Sequence, residues 1–166
     1  MTKYWSNETL GDVERWPDTG LVREGLRLFE ELPRTAPTEV LLATDLHAGN
    51  VLRSDRQPWL VIDPKPMSGD PHYEPAPMLW NRFDELAGDT RNGVRRRFHA
   101  LVDAAGLDED RARAWVVVRE VLNAMWALQD AAREHRGRAP VPASGLTAAD
   151  REWVTMCVTI AKAVQD

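Results

Sequence analysis

The apolar positions divide the chain into a polar start, one short hairpin and a long helical remainder. From Leu21 to Leu32, the residues Val22, Leu26 and Phe29 recur at helical spacing, and Pro33 ends the run. Val40-Leu41-Leu42 is a brief apolar run leading into the segment 43–50. Val51 to Arg53 and Trp59 to Ile62 read as two strands joined by a turn at Ser54–Pro58. Residues 63–77 carry five prolines and cannot hold regular structure for long.

Beyond this point helical spacing dominates. Val94, Phe98, Leu101 and Val102 share a face, with Gly106 placed to end that helix. Asp108 is positioned to cap the next, whose stripe runs through Trp115, Leu122, Met125 and Trp126. Gly137 to Gly145 reads as a Pro/Gly linker. Thr147 and Asp150 then have capping-box spacing ahead of Trp153, Cys157, Ile160 and Val164. The pattern predicts a mostly helical α+β fold, a single domain over residues 1–166, with one small β-hairpin embedded in it.

Composition narrows the function. A length of 166 residues suits one domain with a sizeable core. The formal net charge of −5 argues against a nucleic-acid binder, which needs clustered Lys and Arg. Cys157 is the only cysteine, which excludes an intrachain disulfide and a Cys-based zinc site. Met1 to Leu10 has no signal-peptide core, and Arg119 and Glu120 interrupt the most apolar stretch, Ala114 to Leu128. A cytoplasmic protein with no membrane partner is expected.

The chemistry concentrates in Thr44-Asp45-Leu46-His47-Ala48-Gly49-Asn50 and, after the hairpin, Val61-Ile62-Asp63-Pro64-Lys65-Pro66. D-x4-N, a hairpin and then a strand-terminal Asp is the layout of a kinase catalytic loop and its metal-binding aspartate. Phosphoryl transfer needs a carboxylate in reach of the acceptor hydroxyl, a role open to Asp45. It also needs hard oxygen ligands for Mg²⁺, a role open to Asn50 and Asp63 together with phosphate oxygens and waters. The spacing alone equally fits a hydrogen-bonded turn at Asp45–Asn50 and a strand stop at Asp63. Lys65 reads either as a phosphate-neutralising cation or as half of an ion pair. His47 reads as a loop-packing residue. A metal-hydrolase cluster of His47, His72, Asp45 and Asp63 lacks metal-ligand spacing. Asp84, Glu85 and Asp89 read as a solvated helix end or as an attractor for a cationic ligand.

Three stretches carry a resemblance: Val40 to Asn50, Pro58 through Pro66, and Gly69-Asp70-Pro71 through Leu79-Trp80-Asn81. With Gly20 to Pro33, they resemble the streptomycin 6-kinase group, the aminoglycoside/hydroxyurea antibiotic resistance kinases among the aminoglycoside phosphotransferases. The resemblance implies a protein-kinase-like C-terminal lobe, ATP and Mg²⁺ as cofactors, and a small-molecule aminoglycoside as partner. It makes Asp45 the catalytic base and Asn50 and Asp63 the metal ligands. Asn50, Asp63 and Lys65 form the cofactor-binding set, and Asp70 is an organiser of the loop. Where the family carries His-Gly ahead of the catalytic aspartate, this chain has Ala43-Thr44, which predicts a looser Asp45.

A kinase also needs a Gly-rich turn over the phosphates and a strand lysine. No G-x-G-x-x-G occurs here, and the three lysines are Lys3, Lys65 and Lys162. Fewer than fifty residues precede Asp45, too few for a five-stranded N-terminal lobe. The expectation is a C-terminal lobe alone, of truncated form, with weakened ATP binding. The alternative is a non-catalytic module that binds a cationic ligand or a partner chain. Apolar area facing the absent lobe, including Leu41, Val51 or Leu60, is expected to drive self-association.

Overall fold

The computed structural model describes residues 19–134 and 146–165, with the backbone alone for 132–134. Five α-helices and four short strands appear in it. They are α1 (Thr19–Glu31), β1 (Val40–Leu42), β2 (Val51–Leu52), β3 (Leu60–Val61), β4 (Met67–Gly69), α2 (Ala76–Trp80), α3 (Thr90–Ala105), α4 (Glu109–Glu134) and α5 (Ala148–Gln165). This is a mostly helical α+β arrangement with two separate two-stranded antiparallel ribbons, β1–β4 and β2–β3. The Gly137–Gly145 linker and most of the polar start lie outside the described residues.

The α4 helix is the axis of the core. It buries Ala112, Trp115, Val116, Val117, Val118, Val121, Leu122 and Met125 along most of its length. Against it α1 lays Leu21 and Val22, and α5 lays Ile160, Ala161 and Val164. The approach of α1 is close enough to require glycine, since a Cβ on Gly25 would lie 2.7 Å from Val121 Cγ2. The α3 face of Val94, Phe98 and Val102 closes the same core.

Helix ends follow their capping residues. Gly106 takes φ +62 and its N–H turns back to Val102 and Asp103 carbonyls, ending α3. Asp108 Oδ1 accepts the Arg111 N–H at 2.8 Å at the start of α4. At α5, Thr147 Oγ1 accepts from Asp150 N while Asp150 Oδ2 accepts from Thr147 N, a reciprocal capping box.

Two tryptophans depart from the expected stripes. Trp126 is 46% exposed and Trp153 37%. The layer covering the Trp115 face of α4, formed by Leu32, Leu42 and Tyr73, reaches only to Leu122. Trp126 lies a turn beyond that cover. The strand pairing also adds something: Val40–Leu42 is not merely a lead-in but pairs with Met67–Gly69, in the register Val40↔Gly69 and Leu42↔Met67. The expected hairpin forms with shorter strands, Val51 opposite Val61 and Leu52 opposite Leu60.

Candidate functional site

The β1–β4 ribbon closes the base of the segment that carries the chemistry. Residues 43–66 leave from β1 and return into β4, and the ends are tied by the Lys65 N–H donating to Ala43 O at 2.9 Å. Within that closed loop the β2–β3 ribbon stands as a small hairpin. Its open end is extended by the Ile62 N–H donating to Asn50 O at 2.9 Å. The ladder therefore brings Asn50 and Asp63, thirteen residues apart in sequence, to the same end of the ribbon.

Asp45 belongs to the same cluster. Asn50 Nδ2 donates to Asp45 O at 2.9 Å, which commits the amide nitrogen inward and leaves the side-chain oxygen as the acceptor. Lys65 Nζ donates to Asp45 Oδ2 at 2.6 Å and lies 3.6 Å from Asp63 Oδ2. Lys65 is thus ion-paired, bridging the two carboxylates. The hydrogen bond Lys65 donates to Asp45 raises its pKa above the usual lysine range; desolvation opposes this, and the charges of Asp45 and Asp63 add to it. The other Asp45 oxygen, Oδ1, is 3.9 Å from His47 Nε2. The His47 ring otherwise caps the 3₁₀ turn at 48–50, its Nδ1 accepting the Gly49 N–H at 3.1 Å. That is the packing role expected of it.

The backbone here is unusual in two places. Thr44 (φ +59) and Asp63 (φ +46) both adopt the left-handed region. Asp tolerates that conformation; a β-branched Thr does so at a cost of about 1–3 kcal/mol. Thr44 is held there by three bonds: its N–H donates to Glu74 Oε1 (2.9 Å), its hydroxyl donates to Lys65 O (2.7 Å), and its carbonyl accepts from Arg119 (3.2 Å). The looser Asp45 expected from Ala43-Thr44 is therefore countered by bonds on either side of it.

Asp70 sits beneath this loop, 4% exposed. Its carboxylate accepts from His72 N (3.0 Å), His72 Nδ1 (2.5 Å), Arg111 Nε (2.6 Å) and Trp115 Nε1 (2.7 Å). Burial pushes its pKa up, but the bonds from Trp115, His72 and Arg111 outweigh burial and hold it below the ordinary carboxylate range. His72 passes the link on, its Nε2 accepting the Asp108 N–H at 3.1 Å. Asp70 thereby ties the chain after β4 to the start of α4, and His72 belongs to this network and not to the Asp45 cluster.

Among the described residues no three His, Cys, Asp or Glu side chains are placed together to hold a metal ion. The imagined set of His47, His72, Asp45 and Asp63 is not assembled. The amide oxygen of Asn50 and the carboxylate of Asp63 are hard donors on a common ribbon end. That set suits Mg²⁺, which keeps several waters and takes the rest of its shell from phosphate oxygens. Lys65 adds a cation for phosphate. The described residues offer no Gly-rich turn for a nucleotide.

Two groups that hold the loop, Glu74 and Arg119, have no place in the motif read from sequence. Their signal was a charge in an apolar or proline-rich setting: Arg119 and Glu120 break the longest apolar run, and Glu74 lies among the prolines of 63–77. Of the acidic stretch, Glu85 pairs with Arg82 and Arg97, and Asp89 with Arg96.

A mostly helical α+β body thus presents Asp45, Asn50, Asp63 and Lys65 together around a two-stranded ribbon. The family model described as aminoglycoside/hydroxyurea antibiotic resistance kinase matches residues 8–131, and the chain belongs to that family. It is 44% identical over 96 residues to a streptomycin 6-kinase of Streptomyces glaucescens, covering 57% of this chain and 31% of that protein. It is 49% identical over 94 residues to a hydroxyurea phosphotransferase of Kitasatospora aureofaciens, covering 57% and 26%. A streptomycin 6-kinase of Streptomyces griseus is 43% identical over 97 residues, covering 57% and 31%. The chain thus spans about a third or less of the curated relatives it matches. No solved structure matches the chain.

Proposed function

We propose that the chain is the C-terminal, protein-kinase-like lobe of an ATP- and Mg²⁺-dependent phosphotransferase acting on an alcohol group of an aminoglycoside such as streptomycin, in the cytoplasm. One observation carries the reading. The β2–β3 pairing gathers Asn50 and Asp63 at one end of a ribbon, with Asp45 bonded to Asn50 through its carbonyl and to Lys65 through its carboxylate. A turn that merely stopped a strand would not need the four groups together.

Each residue then has a role. Asp45 Oδ1 accepts the hydrogen bond of the acceptor hydroxyl and orients its oxygen towards the transferred phosphoryl group. Lys65 neutralises phosphate charge and, through its bond to Oδ2, orients the Asp45 carboxylate. Asn50 and Asp63 would hold Mg²⁺, which, when bound, neutralises charge on the phosphate oxygens. Asp84, in the first turn of the 3₁₀ helix at 83–86, adds negative charge that would help draw a cationic acceptor.

The sequence favours a second reading in one respect. With no Gly-rich turn and only Lys65 at the site, the chain would serve as a non-catalytic module holding a cationic ligand or partner chain. Titration calorimetry with Mg²⁺-ATP and, separately, with streptomycin distinguishes the two. The kinase reading predicts Mg²⁺-ATP binding at millimolar nucleotide that Asp63→Asn weakens about tenfold or more. Streptomycin binding without any Mg²⁺-ATP binding would favour the second.

We also infer that the exposed ribbons self-associate. Leu41 (80% exposed), Trp59 (67%), Leu52 and Val61 belong to the two ribbons or their connection and form the main apolar exposure among the described residues.

A further inference from the structure

Arg119 is an unusual residue to find inside the core. It is 7% exposed, on the buried side of α4, and its Nε is buried without a hydrogen-bond partner. Its guanidinium lies over the Tyr73 ring, 4.2 Å from the centroid, and 5.4 Å from that of Trp80. A planar cation resting on two aromatic rings has little freedom left, so whatever it bonds is fixed in turn. It bonds the carbonyl of Thr44 at 3.2 Å.

Thr44 is the residue directly before Asp45 and holds a left-handed conformation that a β-branched side chain disfavours. Such a conformation persists only where its surroundings over-determine it. Here Glu74 takes the N–H and Arg119 takes the C=O of the same residue, so both peptide planes flanking Thr44 are pinned. The second of those planes contains the Asp45 nitrogen. Rotation about it would swing the Asp45 carboxylate away from Lys65 and from the ribbon end.

We propose that Arg119 is a positioning residue for Asp45: stacked on Tyr73 and Trp80, it holds the Thr44 carbonyl and so fixes the left-handed turn from which the Asp45 carboxylate is presented. The consequence for catalysis rests on the kinase reading given above; the mechanical role does not. It also accounts for a charged side chain in the longest apolar run of the chain.

The test is residue-resolved amide hydrogen exchange on the full chain, comparing wild type with Arg119→Met. The expected result is exchange of the Thr44 amide about tenfold faster or more, while the core amides of Val116, Val117 and Val121 keep their protection. Unchanged protection at Thr44, or a loss in step with the core amides, overturns the proposal. If Arg119→Met fails to fold, Arg119→Lys decides, since it keeps the charge but loses the flat stack. Faster exchange confined to residues 43–50 supports the role, and none there overturns it. The readout uses neither nucleotide nor acceptor, so its outcome holds whether or not the chain transfers phosphate. Where transfer is measured, the variant lowers kcat ~100-fold with acceptor KM unmoved. A change in KM alone overturns the role.

Discussion

Asp70 accepts four hydrogen bonds in a site closed to solvent, three of them from His72, Arg111 and Trp115 side chains. Its contribution to stability has a definite sign. Because the folded carboxyl titrates below the usual 3.8, the stabilisation is fully present above that pH and is lost as pH falls through the depressed folded value. Asp70→Asn leaves the Arg111 guanidinium without its anion and points an amide at existing donors, so a loss of about 3 kcal/mol is expected. Urea melts at pH 7 measure it, and the variant is expected to show a flatter acid limb below pH 4 than wild type.

Glu120 presents the opposite case at the level of packed elements. It is 1% exposed on α4, with neither oxygen in a hydrogen bond, in the layer where α4 meets α5. Burial pushes its carboxyl up to about 8, against the opposing influence of Cys157, Arg119 and Asn123. The same burial, with Glu120 alongside, pushes the Cys157 thiol up, so it stays an inert packing group. With the folded pKa raised, the unfolded chain ionises first. Stability is then greatest below the usual 4.5 and declines until about pH 8. Glu120→Gln removes that slope, a gain of ~3 kcal/mol at pH 7 that fades to nothing below pH 4.5. Thermal melts across pH 4 to 9 report it. An unaltered slope in the variant assigns the titration to another group.

The long elements were legible because their signals are local. The α3 stripe of Val94, Phe98 and Val102, the Gly106 cap and the Thr147–Asp150 capping box all lie within a few residues of one another. The β1–β4 ribbon was not, since its strands have three residues each and the second lies among prolines. Nor does periodicity say where a helix outruns its neighbours, which is why Trp126 emerges into solvent. The site divides in the same way. Asp45, Asn50 and Asp63 stand out by their spacing together with the family resemblance, whereas the Glu74 and Arg119 bonds to Thr44 span 30 and 75 residues and have no local signature.

Over the molecule as a whole, the apolar ribbons and the cluster around Asp45 share one region of the chain, residues 40–69. Leu41 at 80% exposure and Trp59 at 67% are the most exposed large apolar side chains among the described residues. Sedimentation velocity is expected to show association rising with concentration and reduced by Leu41→Glu with Trp59→Lys. A monodisperse monomer over a wide concentration range would contradict this. None of the described helices is long and apolar enough to cross a membrane.

The kinase reading requires that the cluster around Asp45 perform phosphoryl transfer. Mass spectrometry of streptomycin incubated with the chain, Mg²⁺ and ATP, beside an Asp45→Asn control of unchanged circular dichroism, tests this at its root. The expected result is a slow mass gain of one phosphate, limited by the weakened ATP binding, that the control lacks. An equal gain from the control would contradict the role of Asp45, and no gain from a demonstrably folded chain would contradict transfer by the lobe alone and favour the non-catalytic module.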